Sequence, residues 1–530
     1  MKNNRHLFFG KTSVRIILFL LAAGLTSPGN ARENGRWLAG DFHNHTVLTD
    51  GGIAAKDVFS QSFHFGLDWL ANSEHGGAFG RDPEGRPWPA AETIFLGDPP
   101  AEKMWRWQSL HQYSYPLIRK ARATYPKKLL IQGYEWNVPA HEHASVGIID
   151  TAEENGRAIA RHEYLFDGDD TGSTADHHLT VSAKRLQNDH AKAVAGVAWF
   201  EKNYQDSGYC ILNHPSRRLR YSMADIRDLN DAAPHVVFGF EGFPGHQKAA
   251  SRGNYDQGPF LDAAGNDITG RARTYGGADH MLAQIGGAWD ALLGEGRRFY
   301  TFANSDFHNP ENDFWPGEYT KTHTFVRDRN RDGKYSQHEL LEGMRSGNSF
   351  IVHGDLIDGL RFSAQSRGEK AEMGGTLLVA AGSGVTITIS FKSPGTNNHG
   401  DPVTVDHIDL IAGEMTDKAD RLLEDGITPN PEYAKDTNAT TRVIATFSGK
   451  DWQPVKKSGG GWRTVRHHLP QLRHDMYFRL RGTNLRCGAA GETDGACNPA
   501  ADETRGENNQ NKAYADLWFY SNPLFVRISR

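Results

Sequence analysis

Two histidines separated by one residue, His43 and His45, are the first residues whose type and spacing indicate chemistry. They follow the apolar stretch 37–42, which suits a short buried strand. Side chains two apart on a strand point to the same face, so both imidazoles are expected to converge at the strand's end. Neutral imidazoles that meet at one point are typical ligands of a metal ion.

A similar pair recurs after the apolar stretch 299–303, where Ser305-Asp306-Phe307-His308 places an aspartate and a histidine two residues apart. Each pair alone is a weak signal, because H-x-H and D-x-H arise often by chance. The evidence for a metal site comes from the recurrence of such residues, since further histidines and carboxylates also lie at the ends of apolar runs. These further candidate residues are Asp50, Glu74, His75, Glu135, His143, His214 and Glu241.

Short apolar strands alternate with helical stretches from residue 36 to residue 353. Such alternation predicts βα units and a parallel sheet or barrel. In folds of this kind the active site lies at the carboxyl ends of the strands. The candidate histidines and carboxylates lie at those predicted strand ends, so the predicted fold and the predicted metal site support each other.

The pattern changes after Gly354, where segments such as Val385–Phe391 alternate apolar and polar residues and turn residues separate them. Alternation with a period of two is typical of half-buried antiparallel strands. We therefore expect residues 355–530 to form an antiparallel β-sandwich domain.

Composition narrows the function classes. The 530-residue chain carries a net charge of -5 and has no basic stripe with interleaved aromatics, so a nucleic-acid partner is not expected. With three cysteines, a thiolate zinc site is not available, and any metal must use histidine and carboxylate. Cys487 and Cys497 bracket a loop and are expected to form a local disulfide in an oxidising compartment, with two free thiols as the alternative.

Residues 1–31 have the composition of a secretory signal, with basic residues before the apolar segment Ile16–Gly24 and small residues at a cleavage point after Ala31. The predicted location is periplasmic or secreted, without stable membrane insertion after cleavage. An uncleaved anchor is the alternative.

Residues 328–339 match the calcium loop of an EF-hand at every position. Ligand oxygens would come from Asp328, Asn330, Asp332, the Lys334 carbonyl and Glu339. A strand is expected before the loop and a helix after it, which indicates a lone structural calcium site. The alternative is a polar turn without metal.

The ordered set H-x-H-x(4)-D-G, E-H, G-x-E, N-H-P and S-D-x-H resembles the PHP (polymerase and histidinol phosphatase) family over roughly residues 38–353. The stretch Trp289–Leu293, followed by Arg297 and the S-D-x-H motif, is similar to the secreted CehA/McbA carbaryl-hydrolase-like branch. Members of that branch also carry a β-rich C-terminal domain.

The resemblance implies a distorted seven-stranded (β/α) barrel over residues 36–353 that holds two or three metal ions. One ion would be held by His43, His45, Glu135 and Asp306. A second would be held by Glu135, His143 and His214, with Glu135 bridging. Any third would be held by Asp50, His75 and His308, although the family often has histidine where Asp50 stands.

Mixed imidazole and carboxylate ligands suit Zn, Mn or Fe, and such an ion turns bound water into a nucleophile. The chemistry expected is hydrolysis of a small, anionic phosphoester, with His75 or His308 protonating the leaving group. Arg217 and Arg218, directly after His214-Pro215-Ser216, suit a phosphate. The alternatives are a carbamate or carboxylic ester hydrolase, and a non-catalytic binding protein stabilised by metal.

Overall fold

The structure, a computed structural model, describes residues 34–89, 93–149, 154–173, 187–255, 258–455, 461–502 and 510–529. Gly35–Arg530 forms one compact unit. The predicted signal segment, residues 1–31, lies outside the described residues. Among those residues, no helix combines the length and the apolar character that a bilayer crossing requires.

The first half of this unit alternates strands with helices. Its strands are β1 (Gly35–Asp41), β2 (Trp69–Ala71), β3 (Ala78–Phe79), β4 (Met104–Trp105), β5 (Leu129–Trp136), β6 (Ala144–Ile148), β7 (Gly208–Leu212), β8 (Val237–Phe243), β9 (Thr274–Tyr275), β10 (Ala278–Asp279), β11 (Tyr300–Ala303), β12 (Thr320–Arg327) and β13 (Ser349–His353). Its helices are α1 (Ala55–His64), α2 (Arg106–Ser109), α3 (Tyr115–Thr124), α4 (Glu154–Phe166), α5 (His190–Tyr204), α6 (Met223–Ala232), α7 (His280–Ala283), α8 (Ala288–Gly294) and α9 (Gln337–Ser346).

The second half is rich in strands. It contains β14 (Gly359–Ser366), β15 (Glu369–Glu372), β16 (Thr376–Ala380), β17 (Val385–Lys392), β18 (His407–Glu414), β19 (Arg442–Ser448), β20 (Gln453–Pro454), β21 (Arg463–Leu469), β22 (Met476–Thr483), β23 (Trp518–Ser521) and β24 (Leu524–Ser529). Its described helices are a short 3-10 helix (Pro431–Ala434) and the α-helix α10 (Gln510–Ala515).

A large mixed sheet runs through the first half in the order β11-β8-β7-β6-β5-β2-β1-β12-β13. The pairs β1–β2, β2–β5, β7–β8 and β8–β11 are parallel, as βα alternation predicts. Strand β12 departs from that pattern, because it pairs antiparallel with both β1 and β13. Strand β6 departs from it as well, because it pairs antiparallel with both β5 and β7. Its connection to β5 is a short loop, which only an antiparallel neighbour permits.

Helices cover this sheet with their apolar faces. Ala55 and Phe59 of α1 and Ile118 of α3 join Leu70 and Leu130 of the sheet in one buried cluster. Sequence signals fix where the helices begin. Ser222 starts α6 through a capping box with Asp225, in which each side chain bonds the other residue's backbone N–H.

The end of β11 reaches back to the end of β1. Ser305 N donates to Asp41 Oδ2 at 2.7 Å, and His45 N donates to the Phe307 carbonyl at 2.8 Å. Asn44 and Phe307 form an isolated parallel bridge. These contacts join the ends of β1 and β11 through individual hydrogen bonds and one isolated bridge. A closed seven-stranded barrel therefore stays a prediction.

The same large sheet continues from β13 through β23, β22 and β18 to β19, so it crosses the predicted boundary near residue 354. A separate antiparallel sheet has the order β15-β14-β17-β21-β20. The inward residues of β17, Val385, Ile387, Ile389 and Phe391, are buried as the alternation predicts. The division into domains at 353 and 355 stays a prediction.

A local disulfide and a long-range ion pair add further links. The predicted disulfide is confirmed, since Cys487 and Cys497 are bonded, and the thiol of Cys210 is free and buried. Arg479 on β22 donates through Nε and Nη2 to the two carboxylate oxygens of Asp290 on α8, at 2.8 and 2.7 Å. This buried bidentate pair joins the second half of the chain to the first.

Candidate metal centre

The two histidines that follow β1 lie beside the aspartate that follows β11. His43 Nε2 is 3.1 Å and His45 Nε2 is 3.2 Å from Asp306 Oδ1. His43 Nε2 is also 3.0 Å from Glu135 Oε1 at the end of β5. Residues more than 250 positions apart in the sequence are thus within ligand-sharing distance of one another.

Glu135 is the common neighbour of the surrounding imidazoles. His143 Nδ1 is 3.0 Å and His214 Nε2 is 3.5 Å from Glu135 Oε1. On the other oxygen, Oε2, His75 Nδ1 lies at 2.9 Å and His45 Nε2 at 3.4 Å. One buried carboxylate therefore faces several rings, which is the arrangement of a bridging ligand.

Asp50 stands at the mouth of the centre, where its side chain is 46% exposed. Its Oδ2 lies 3.3 Å from His75 Nε2 and 3.4 Å from His308 Nε2, and its Oδ1 lies 3.5 Å from His45 Nδ1. The structure thus brings together all the residues that the sequence predicts as ligands of the main centre.

Several of these atoms lack a hydrogen-bond partner among the described residues. Both ring nitrogens of buried His45 and the Oε2 atom of buried Glu135 are in this state. Burying such groups unpaired costs free energy, which a bound cation would offset. At least four sets of ligand atoms in this centre also lie within 4.8 Å of one another, so the residues fit divalent metal. These sets are His45-Asp50-His75-His308, His43-His45-Glu135, His43-His214-Asp306 and His75-Glu135-His143.

Carboxylates outside the centre orient the rings. Glu241, at the end of β8, has Oε1 2.6 Å from His43 Nδ1, and its Oε2 accepts the His214 N–H at 2.9 Å. With Nδ1 of His43 held in this way, Nε2 faces Glu135. Glu241 therefore contacts two of the predicted ligands, His43 and His214, from its strand.

Glu142 has the same role for His214, and sequence reasoning missed it. Its Oε2 lies 3.2 Å from His214 Nδ1 and accepts from Arg217 Nε at 3.2 Å, while Oε1 accepts from Arg218 Nη1 at 3.1 Å. Both predicted arginines therefore pair with Glu142. Its position directly before His143 was the available signal.

Two more polar residues at the centre escaped prediction, His246 and Asp313. His246 Nε2 lies 3.1 Å from Asp306 Oδ2, and His246 Nδ1 lies 2.7 Å from Asp313 Oδ1. By contrast, the ring of His141, two residues before His143, bonds to the Arg220 carbonyl and to His190.

Glu74 lies beneath the centre. Its carboxylate accepts hydrogen bonds from the hydroxyls of Thr46 and Thr49 and from the Thr46 N–H. Nearby Asp41 is fully buried, and burial raises its pKa to about 7 despite hydrogen bonds from His43 N and Ser305 N. These carboxylates fix the backbone that carries the rings.

Charge neighbours perturb the rings strongly. Burial lowers the pKa of His43, but Asp306, Glu135 and Glu241 outweigh burial and raise it well above its usual value. Burial also opposes protonation of His75, yet Glu135 and Asp50 raise its pKa to about 10. For His45, burial and the neighbouring rings of His308 and His75 lower the pKa to about 4.

The predicted calcium loop lies between β12 and α9, as expected. Asp328 accepts the N–H groups of Asp332 and Gly333 at 3.2 and 2.9 Å. Glu339 accepts the Arg329 N–H at 2.9 Å and forms the capping box of α9 with Ser336. Asn330, Asp332 and Lys334 are exposed. Calcium binding there stays a prediction.

No family model and no curated protein matches the chain. Among solved structures, it is similar to a two-domain protein from Bacteroides vulgatus that contains a predicted PHP-like metal-dependent phosphoesterase, with 14% identity over 88% of this chain and 94% of that one, at a TM-score of 0.35. A protein from Bifidobacterium adolescentis that is predicted to be a metal-dependent phosphoesterase has 13% identity over 51% of this chain and 87% of that one, at a TM-score of 0.24.

Metal binding is predicted to release protons. The neighbouring carboxylates raise the pKa of His43 well above its usual value and that of His75 to about 10 in the metal-free centre, so these two rings hold protons at pH 7 that an ion must displace. Apparent affinity for Zn²⁺ or Mn²⁺ should therefore weaken as pH falls, by about tenfold per pH unit for each proton displaced. Calorimetric titration in buffers of different ionisation enthalpy measures the protons directly, and equal heats in all buffers would contradict the prediction.

Proposed function

We propose that this chain is a metal-dependent hydrolase whose buried His/carboxylate centre activates water, most specifically a phosphoesterase of the PHP type. The single observation that carries the proposal is the convergence of the predicted ligands around Glu135, together with the two buried ring nitrogens of His45, which have no hydrogen-bond partner among the described residues. The sequence motifs add the CehA/McbA branch and the barrel architecture to the proposal.

The contacts support one assignment of ions. His43, His45, Glu135 and Asp306 would hold the first ion, and Glu135, His143 and His214 the second. Asp50, His75 and His308 would hold a third. Zn, Mn and Fe suit these donors, because all three accept imidazole and carboxylate together.

Such ions, when bound, supply a hydroxide nucleophile at neutral pH and stabilise developing charge on oxygen. The chain's own residues orient the donors and exclude water beneath the centre. His75 and His308 are only partly buried and border Asp50 at the mouth. In a two-ion form these rings are free to protonate a leaving group that enters there.

Arg217 supports an anionic substrate. Glu142 Oε2 accepts from Nε of Arg217 and pairs with its Nη2. The remaining guanidinium nitrogen of Arg217, Nη1, faces the centre at 3.9 Å from Asp306 Oδ2. A guanidinium held in this way presents a fixed N–H to a substrate oxygen. Arg218 is more exposed and supports the orientation of Glu142 in this proposal.

The proposed location is the periplasm or the cell exterior. The signal-like composition of residues 1–31 and the disulfide between Cys487 and Cys497 both suit an oxidising compartment. The proposed partner is a small anionic ester.

The function is tested with aryl esters and with Zn²⁺, Mn²⁺ or Fe²⁺ restored to metal-free protein. We expect release of the aryl group from a phosphodiester or phosphomonoester. Asp306→Asn should lower kcat/KM by more than the roughly 10- to 100-fold that outer-layer substitutions cost, because it weakens a direct ligand. Asp436→Asn is the matched control, since Asp436 pairs with Arg271 at the surface.

The same assay separates the alternatives. Turnover of an aryl carbamate with no phosphoester hydrolysis would replace the phosphoesterase proposal by the carbamate one. Stoichiometric metal binding without hydrolysis of any ester would indicate a binding protein whose metal is structural.

Arg217→Gln should raise KM for an aryl phosphate by about tenfold, because one charge-assisted hydrogen bond is lost, and should leave KM for a neutral carboxylic ester unchanged. Arg271→Gln is the control, since Arg271 is 52% exposed and pairs with Asp436 at the surface. Metal content is measured alongside, because Arg217 also contacts Glu142. An equal change for both substrates would contradict an anion-binding role.

We also propose that residues 328–339 bind calcium weakly as a structural ion. Asp328 and Glu339 border the loop from its two ends, and Gly333 has the positive φ of +73° that the sharp turn of such loops requires. Millimolar calcium outside the cell would fill a site of modest affinity.

Calcium at 5 mM should accordingly raise Tm by about 1–2 °C relative to a chelator, the shift expected for an ion present above its Kd. Asn330→Ala should abolish the shift, because it removes one ligand oxygen without disturbing the capping box of α9. A shift of the same size with magnesium, or in the variant, would argue against the site.

A further inference from the structure

His246, on the loop after β8, contacts the centre but belongs to no predicted ligand set. Its ring is partly buried and lies between two carboxylates, with Nε2 3.1 Å from Asp306 Oδ2 and Nδ1 2.7 Å from Asp313 Oδ1. The ring also stacks on His308, with ring centroids 5.2 Å apart. These contacts place it beside two proposed ligands at once.

The two oxygens of Asp306 face different groups. Oδ1 lies 3.1 and 3.2 Å from the Nε2 atoms of His43 and His45, inside the centre. Oδ2 points away from them, toward His246 and toward Arg217 Nη1 at 3.9 Å. A carboxylate held by its outer oxygen has one oxygen left for a cation.

Asp313 fixes His246 in turn. Asp313 is 1% exposed, and its Oδ2 accepts the N–H of His308 at 2.8 Å and that of Asn309 at 3.3 Å. The carboxylate that orients the His246 ring therefore also orients the backbone of the S-D-x-H motif.

The backbone supports a functional placement. His246 has φ +54°, and Asp306 and His214 have φ +44° and +30°, so three non-glycine residues at the centre occupy the left-handed region. That conformation costs free energy, and it persists where surrounding contacts enforce it. Gly245 permits the approach, because a Cβ there would lie 2.1 Å from Asp306 Cβ.

The loop that carries His246 is anchored on its far side. Fully buried Arg252 bonds the Asp516 carboxylate and donates through Nη2 to Tyr319 Oη at 2.9 Å. Gln247 donates through Nε2 to the Pro244 and Gly277 carbonyls at 2.8 and 3.0 Å. These bonds hold the loop rigid against Ser305 and Asp306.

We propose that His246 is a positioning residue that holds Asp306 by Oδ2, so that Asp306 offers Oδ1 alone to the metal centre. This inference rests on the proposed metal centre but not on which ester is hydrolysed. It adds to that centre a residue that acts through Asp306, with Asp313 as its own support.

Three substitutions separate positioning from anchoring of the loop. The amide nitrogen of Gln reaches where Nε2 of His lies, and that of Asn reaches only where Nδ1 lies. His246→Gln therefore keeps a donor for Asp306, His246→Asn keeps one for Asp313, and His246→Leu keeps neither. Mn²⁺ and Zn²⁺ are titrated into metal-free protein without substrate, and bound metal is counted after dialysis.

We expect His246→Asn and His246→Leu to bind metal about 10- to 100-fold more weakly than the parent, the usual cost of losing such a partner. His246→Gln should stay within about tenfold of it. His235→Asn is the matched control, because exposed His235 lies 2.6 Å from Glu201 in an imidazole–carboxylate pair remote from the ligands. Near-ultraviolet circular dichroism checks that each variant is folded.

Rescue by Asn but not by Gln would overturn the proposal, because it would show that His246 serves only to anchor the loop through Asp313. Loss of one whole ion in all three variants, with the remaining ions bound as before, would also overturn it and make His246 a ligand. Unchanged binding in all three would overturn it as well. Since no step uses an ester, failure of the hydrolase proposal would leave these results interpretable.

Discussion

The burial of Glu135 is the constraint on which the rest of the centre depends. A carboxylate that is 1% exposed loses its hydration, and this loss is tolerated only if compensating groups surround it. Here the compensating groups are imidazoles from several strand ends. The positive neighbours His143, His43 and His75 outweigh burial and lower the pKa of Glu135 well below its usual value.

This requirement explains why polar residues gather at one edge of an apolar sheet. The strands themselves are buried and apolar, and the charged groups begin where β1, β5, β8 and β11 end. A second layer then stabilises the first, because three rings turn a nitrogen toward a carboxylate of that layer. Glu241 serves His43, Glu142 serves His214 and Asp313 serves His246. The outer carboxylates fix ring orientation before any ion binds, which is the condition for a pre-organised site.

The strands after residue 354 form part of the framework that supports this centre. The main sheet continues into β23, β22 and β18, and the bidentate pair of Arg479 and Asp290 is buried between the two halves. Asp516, close before β23, bonds Arg252 on the loop that carries His246. A partner charge removed from either pair would leave the other buried alone, so both halves contribute to the rigidity of the centre.

The sequence by itself determined which residues are ligand candidates, because strand periodicity is local and places His43 beside His45 and Asp306 beside His308. It also determined the Cys487–Cys497 disulfide, the alternation of β17 and the strand-then-helix frame of residues 328–339. Tertiary structure alone decided that β6 runs antiparallel, that the main sheet passes beyond residue 354, and that Glu142, His246 and Asp313 support the ligands. The reason is physical: these features depend on contacts between segments far apart in the chain, and no local spacing encodes which distant carboxylate a ring will face.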